Sequence, residues 1–133
     1  MEQKKNSIGS IISTDITVDN PEELKTFYQE VIGWEAESLP MKDESGAYED
    51  YVMKDPQGNW ISGICHNRGI NKGIPPQWIV YINVADISQS IEKCQRLGGE
   101  VIKTSKNRDG SLQYAMIKDP LGAVLALTKE ADE

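Results

Sequence analysis

The hydrophobic pattern of the chain opens with a strand followed by a helix. Residues 11–18 are rich in β-branched side chains, which is typical of a strand. In the next segment apolar side chains recur every three or four residues, which predicts a buried helix stripe made of Leu24, Phe27, Tyr28 and Val31. Asn20 suits an N-cap and Gly33 suits the residue that ends a helix, so the helix is expected over about 21–32.

The pattern then changes to strands separated by polar segments. Three strands are predicted, at about 34–39, 48–54 and 59–66. The last two are joined by Asp55-Pro56-Gln57-Gly58, a typical turn sequence. Residues 40–46 are interpreted as a polar loop. Residues 67–76 contain two glycines and two prolines without periodicity and are interpreted as a linker.

After this linker the same order of elements recurs. A strand, a helix and three further strands are predicted at about 78–84, 88–97, 100–103, 112–118 and 124–128. The turn sequence returns as Asp119-Pro120-Leu121-Gly122, 64 residues after its first occurrence. Each copy is β-α-β-β-β, and each leaves one sheet face without a helix. The sequence therefore predicts an α+β fold of two tandem βαβββ modules that form curved mixed sheets around a cavity.

Length and charge narrow the possible partners. A chain of 133 residues suits a single domain over 10–130, made of module one (about 10–66), the linker (67–76) and module two (about 77–130), after a flexible terminus at 1–9. The net charge of −7 argues against nucleic acid as a partner. The sequence has no apolar run of the roughly 20 residues that a membrane helix needs and no signal-peptide pattern, so a cytoplasmic location is expected.

The modules resemble the vicinal-oxygen-chelate superfamily, which includes glyoxalase I, bleomycin-resistance proteins and extradiol dioxygenases. The residues that carry the resemblance are the segment 27–34 at the end of the first helix, the pair Gly98-Gly99 and the two Asp-Pro-x-Gly turns. It extends over essentially the whole chain from Ile11 to Leu127. Within the superfamily the chain is most similar to the glyoxalase-like group.

The resemblance also implies where metal ligands would stand. Metal-dependent members carry a His or Glu on the first and the last strand of each module, and the matching positions are Ser13, Ser62, Ile79 and Ala126. None of these side chains is a competent ligand for a divalent metal. We therefore expect no metal site and no cofactor.

Strand alternation predicts which residues line the cavity, because residues two apart share a face. The ligand-binding residues expected on this basis are Asp15, Trp60, Ser62, His66, Ile79, Tyr81 and Ala126. This mostly apolar and aromatic lining suits a small, partly aromatic or apolar organic compound. The face of Tyr114 and Met116 is left open.

Three interpretations remain at the sequence level. The first is a metal-independent small-molecule-binding protein of the glyoxalase/bleomycin-resistance type. The second is a metal-free lyase or isomerase of the same fold that uses Asp15 as an acid/base. The third is a structural module whose aromatic faces serve only dimer formation. The modules could pair within one chain or across a homodimer.

Overall fold

The computed structural model describes residues 7–129, which form eight strands and two α-helices. The first module contains β1 (Ile11–Val18), α1 (Pro21–Ile32), β2 (Glu35–Asp43), β3 (Gly46–Lys54) and β4 (Trp60–His66). The second contains β5 (Trp78–Asn83), α2 (Ile87–Arg96), β6 (Glu100–Lys106), β7 (Leu112–Lys118) and β8 (Val124–Thr128). The α+β class and the two βαβββ modules are confirmed. Within residues 7–129 neither helix is long and apolar enough to span a bilayer.

The chain divides into two compact units. One, here the α1 unit, is Thr14–Trp78; the other, here the α2 unit, combines the residues up to Ser13 with those from Ile79 onward. In the α1 unit the strand order is β2-β3-β4-β1, with β1 and β4 parallel and the other pairs antiparallel. In the α2 unit the order is β5-β8-β7-β6, and again only the β5–β8 pair is parallel.

Helix α1 begins and ends where the sequence predicts. The backbone N–H of Glu23 donates to Asn20 Oδ1 at 3.2 Å, which caps the first turn. At the other end Gly33 adopts a left-handed conformation with φ of 93°, and its N–H donates to the Gln29 carbonyl. Only glycine takes this conformation without steric cost, which is why the helix stops here.

The face that α1 buries differs from the predicted stripe. Leu24 and Tyr28 pack against the core of the unit, which consists of Ile16, Tyr51, Met53 and Ile64. Phe27 is 54% exposed and Val31 is 64% exposed, so the expectation that both are buried is wrong. The helix is rotated so that Lys25 lies over the Tyr51 ring, 4.7 Å from its centroid. Periodicity predicted the helix but not its rotation.

Several irregular segments also differ from expectation. Strand β2 continues through Pro40 to Asp43, where a polar loop was predicted; it is an edge strand, and proline is tolerated there because no neighbour needs its N–H. The linker at 67–76 contains a short 3₁₀ helix, Gly69–Asn71, and buries Ile74. Residues 1–6 lie outside the described residues. In residues 7–9 the Gly9 N–H donates to the Asn83 carbonyl at 2.7 Å, and the flexibility of the terminus stays a prediction.

Candidate functional site

A β-bulge in strand β4 makes the two modules unequal. In the β3–β4 pair, Met53 lies opposite Ser62 while the next residue, Lys54, lies opposite Trp60, so Ile61 is an extra residue. The corresponding pair in module two, β7–β8, has no such shift: Met116, Ile117 and Lys118 pair in order with residues 126, 125 and 124. If positions in β4 are matched to positions in β8 by counting from the two Asp-Pro-x-Gly turns, the match is therefore displaced by one residue beyond the bulge.

Because of the bulge, residues of β4 that strand alternation predicts on one face lie on opposite faces of the sheet. Ser62 and Ile64 lie on the sheet face that α1 covers, because they pair with the core residues Met53 and Tyr51. Trp60 lies on the opposite face with Lys54, whose ammonium is 5.8 Å from the indole centroid, and it is 68% exposed. The expectation that Ser62 and His66 share a face with Trp60 is wrong, since strict alternation does not hold across a bulge.

Asp15 lies on the face that α1 leaves free. Its register partner on β4 is Gly63, where an added Cβ atom would lie 3.4 Å from the Asp15 Cβ, at ordinary van der Waals distance. Neighbouring Cys65 is affected by the same carboxylate. Burial raises the pKa of the Cys65 thiol, and the charges of Asp15 and Asp50 raise it further. Cys65 is therefore a neutral thiol rather than a nucleophile.

The bulge also changes which residue of β4 corresponds to a metal-ligand position of the metal-dependent members. Tyr81 pairs with Ala126 in module two, and Asp15 pairs with Gly63 in module one, so the counterpart of Ala126 is Gly63 and not Ser62. Glycine offers no side-chain ligand at all. Among residues 7–129 no group of three or more His, Cys, Asp or Glu side chains could hold a metal ion. The donor set does not fit the metal site of the metal-dependent members.

In the α2 unit the predicted residues do come together on one face. Strand register places Ile79, Tyr81 and Ala126 on the same side of the sheet. The register of β7 and β8 adds Tyr114 and Met116 to that side, which decides their orientation. The rings of Tyr81 and Tyr114 meet edge to face, with centroids 6.2 Å apart at 86°. Ile79, Ala126 and Met116 have no exposed surface, whereas both tyrosines are half-buried.

The seven predicted ligand-binding residues thus divide between the units. The α1 unit holds Asp15 and Trp60 on one face and Ser62 and His66 on the other. The α2 unit holds Ile79, Tyr81 and Ala126. Their convergence on one cavity stays a prediction.

Around His66 the structure assembles a polar cluster that the sequence did not indicate. His66 Nδ1 lies 3.3 Å from Asp50 Oδ1, and His66 Nε2 lies 3.2 Å from Glu22 Oε2. The Tyr51 hydroxyl donates to that same Glu22 oxygen at 3.2 Å. These residues belong to β4, β3 and α1, and only tertiary packing brings them within hydrogen-bond distance.

A second cluster lines an open cavity of about 630 Å³ in the α1 unit. Its lining comes from residues 42–45, 67–70 and 72. Arg68 donates two hydrogen bonds to Asp43, from Nε at 2.7 Å and from Nη2 at 2.8 Å, and its guanidinium stacks on the Tyr48 ring. The hydrogen bond from Arg68 lowers the pKa of Asp43 to about 2. Because Arg68 is already paired, we interpret this cluster as one that fixes the segment after β4.

Comparison with known proteins places these observations in a family. The model of the Glyoxalase/Bleomycin resistance protein/Dioxygenase superfamily matches residues 10–127. CFP32 of Mycobacterium tuberculosis, which carries the name of a glyoxylase, is 29% identical over 129 residues, and the match covers 96% of this chain and 47% of CFP32. The same protein from Mycobacterium bovis matches equally. The chain spans about half the length of the curated relatives it matches.

Solved structures show the same fold at low sequence identity. Glyoxalase I from Zea mays superposes with a TM-score of 0.57 at 21% identity, over 95% of this chain and 46% of that chain. Methylmalonyl-CoA epimerase from Streptomyces coelicolor superposes with a TM-score of 0.55 at 14% identity, over 95% of this chain and 100% of that chain. From the match over residues 10–127, the chain belongs to the Glyoxalase/Bleomycin resistance protein/Dioxygenase superfamily.

Proposed function

We propose that this chain binds a small, partly aromatic or apolar organic compound without a metal ion. The observation that carries the proposal is the sheet face of the α2 unit on which Tyr81 and Tyr114 meet beside fully buried Ile79, Ala126 and Met116. The buried residues hold the two rings in place. A half-buried aromatic pair on an apolar floor offers a planar ligand both contact area and ring-edge interactions.

The α1 unit supports the proposal with a second surface. Trp60 is 68% exposed on the face of the sheet that helix α1 leaves free, and its neighbour in the chain, Ile61, is 40% exposed. Exposed apolar side chains of this size that lie side by side are typical of binding surfaces. Asp15 lies on the same face and would orient a polar group of the ligand.

The side chains at the four positions matched to metal ligands do not favour metal binding. A divalent metal needs imidazole, thiolate or carboxylate ligands, and the matched positions carry Ser13, Gly63, Ile79 and Ala126. The second candidate function, a metal-free lyase or isomerase, depends on Asp15 alone. Glyoxalase and epimerase activities are stated of the similar proteins that bear those names, and we do not assign them to this chain.

A thermal-shift panel tests the proposal, because a compound that binds the native state raises its melting temperature. The panel contains phenols, aromatic carboxylic acids and heteroaromatic bases. We expect at least one class to raise the melting temperature in a concentration-dependent way. For that compound, Tyr81→Ala should weaken binding by about 1–3 kcal/mol, the scale of one lost apolar contact.

The matched control is Gln113→Ala. Gln113 lies next to Tyr114 on β7 but on the opposite face, and it is exposed. This variant should bind the compound as the wild type does. The proposal fails if no compound class stabilises the protein, or if Gln113→Ala weakens binding as much as Tyr81→Ala does.

A further inference from the structure

One row of side chains crosses the α2 unit from an aromatic ring to a cation. Tyr81 on β5 pairs with Ala126 on β8, which pairs with Met116 on β7. Met116 pairs in turn with Lys103 on β6. Residues that lie directly opposite each other in a sheet project from the same side of it. Lys103 therefore belongs to the face that carries Tyr81 and Tyr114.

A bulge in β6 brings Lys103 to this face. Val101 pairs with Ile117, and the next pair joins Lys103 to Met116, so Ile102 is an extra residue. Because Ile117 and Met116 are neighbours on β7, they lie on opposite faces. Their partners Val101 and Lys103 do so as well, although strict alternation would place two residues with this spacing on one face.

The two ends of this row are accessible, and its middle is not. Ala126 and Met116 have no exposed surface, whereas Tyr81 and Lys103 are each half-buried. Neighbouring strands are about 4.8 Å apart, so three spacings separate the Cα atoms of Tyr81 and Lys103 by about 14 Å. The stem of a lysine can follow an apolar surface and cover part of this distance. The remainder suits a compound made of one ring and a short side chain.

The charges on this face favour an anion at the lysine end. Lys118, on the same side of β7 as Met116, pairs with Glu100, and Lys118 Nζ lies 3.8 Å from Glu100 Oε1. These two charges compensate each other, and Lys103 adds a positive charge to a chain whose net charge is −7. A lysine ammonium has three N–H donors, so it can keep a contact within the protein and still bind an anionic group.

We propose that the compound bound on this face is an aromatic carboxylate, with its ring against Tyr81 and its carboxylate bound by the Lys103 ammonium. This assignment rests on the function proposed above and narrows the ligand to one chemical class. Lys103 is then a specificity-determining residue. Ring contacts give affinity for any planar compound of this size, and the ion pair favours the acid over its uncharged analogue.

The test uses phenylpropanoate and its uncharged analogue phenylpropanamide, which share the ring and the chain. Both are titrated into the full chain at neutral pH in a calorimeter. We expect the wild type to bind the acid about ten-fold more tightly than the amide, the ratio that corresponds to one charge-assisted hydrogen bond.

Lys103→Met removes the charge and keeps the length of the side chain. This variant should bind the acid about ten-fold more weakly than the wild type does. It should bind the amide unchanged, which also shows that the variant is folded. Lys103→Arg should keep the preference for the acid. The matched control is Lys106→Met, because Lys106 lies on the same strand, is exposed, and loses the same charge. This control should bind both compounds as the wild type does.

Equal binding of acid and amide by the wild type would overturn the role of Lys103 and leave the proposed function standing. The same holds if Lys103→Met and Lys106→Met weaken acid binding alike, or if the wild type binds only phenols or heteroaromatic bases. If no compound of the thermal-shift panel binds, and neither the acid nor the amide does, the proposed function fails and the role of Lys103 fails with it.

Discussion

At the scale of single residues, position in the pairing register decides what each side chain does. Gly63 lies where module two carries Ala126, and it is the register partner of Asp15 on β4. Ser62, one residue earlier, lies beneath helix α1 instead. A shift of one position along β4 therefore separates a residue on the open face from one in the core.

The Asp43–Arg68 pair leads to a prediction about pH. Arg68 lowers the pKa of Asp43 from its ordinary 3.8 to about 2. The pair's contribution to stability is therefore complete above the ordinary pKa and is lost as pH falls toward about 2. We expect Asp43→Asn to be less stable than the wild type at neutral pH, and the difference to shrink below about pH 4. Urea unfolding at several pH values measures it.

Glu44→Gln is the control for this experiment. Glu44 is the exposed neighbour of Asp43 in the same hairpin, so its variant removes an equal charge without removing the acceptor of the two Arg68 hydrogen bonds. If the difference between wild type and Asp43→Asn stays constant down to pH about 3, Asp43 is not held ionised by Arg68.

At the scale of elements, the rotation of α1 leads to a second prediction. Tyr28 packs its ring against Trp34 and Trp78, and its hydroxyl accepts a hydrogen bond from Trp78 Nε1 at 3.0 Å. Tyr28→Ala should lower the free energy of unfolding by about 3 kcal/mol. Phe27→Ala should lower it by about 1 kcal/mol or less, because the ring is 54% exposed.

Chemical denaturation of the two variants measures this contrast, with Tyr28→Phe as a control that removes only the hydroxyl and should cost about 1 kcal/mol. If Phe27→Ala proves the more damaging change, the helix is rotated toward the stripe that periodicity predicted.

The bulge at Ile61 explains why the sequence predicted the strands but assigned part of β4 to the wrong face. Strand alternation is a local rule that assumes one residue for each step along the partner strand. Nothing in the segment Trp60-Ile61-Ser62 indicates the extra residue, because a bulge is defined by pairing with another strand. The β7–β8 pair of module two has no such shift, and there strand alternation places Ile79, Tyr81 and Ala126 on one face, as the register does.

At the scale of the whole molecule, the side chains at the four matched positions predict that the protein binds no stoichiometric divalent metal. Protein purified without chelator should carry less than about 0.1 equivalents of zinc, nickel, manganese or iron per chain, because the matched positions lack ligands. Elemental analysis by mass spectrometry measures this. About one equivalent that survives mild chelation would contradict the argument from Ser13, Gly63, Ile79 and Ala126.

The sequence by itself determined the elements, their order and their duplication. Helix caps, turn sequences and the periodicity of apolar residues act over only a few neighbours, so they can be read along the chain. Asn20, Gly33 and the two Asp-Pro-x-Gly turns are examples, and the structure has the helix and the hairpins where these residues predict them.

Only the tertiary structure decided which way these elements face. The rotation of α1 depends on how Tyr28 fits between Trp34 and Trp78, and the facing of β4 depends on its register with β3. The surroundings of His66 come from residues 16 and 44 positions earlier in the chain. Such contacts join distant segments, and their energies depend on the packed geometry, which local propensity does not contain.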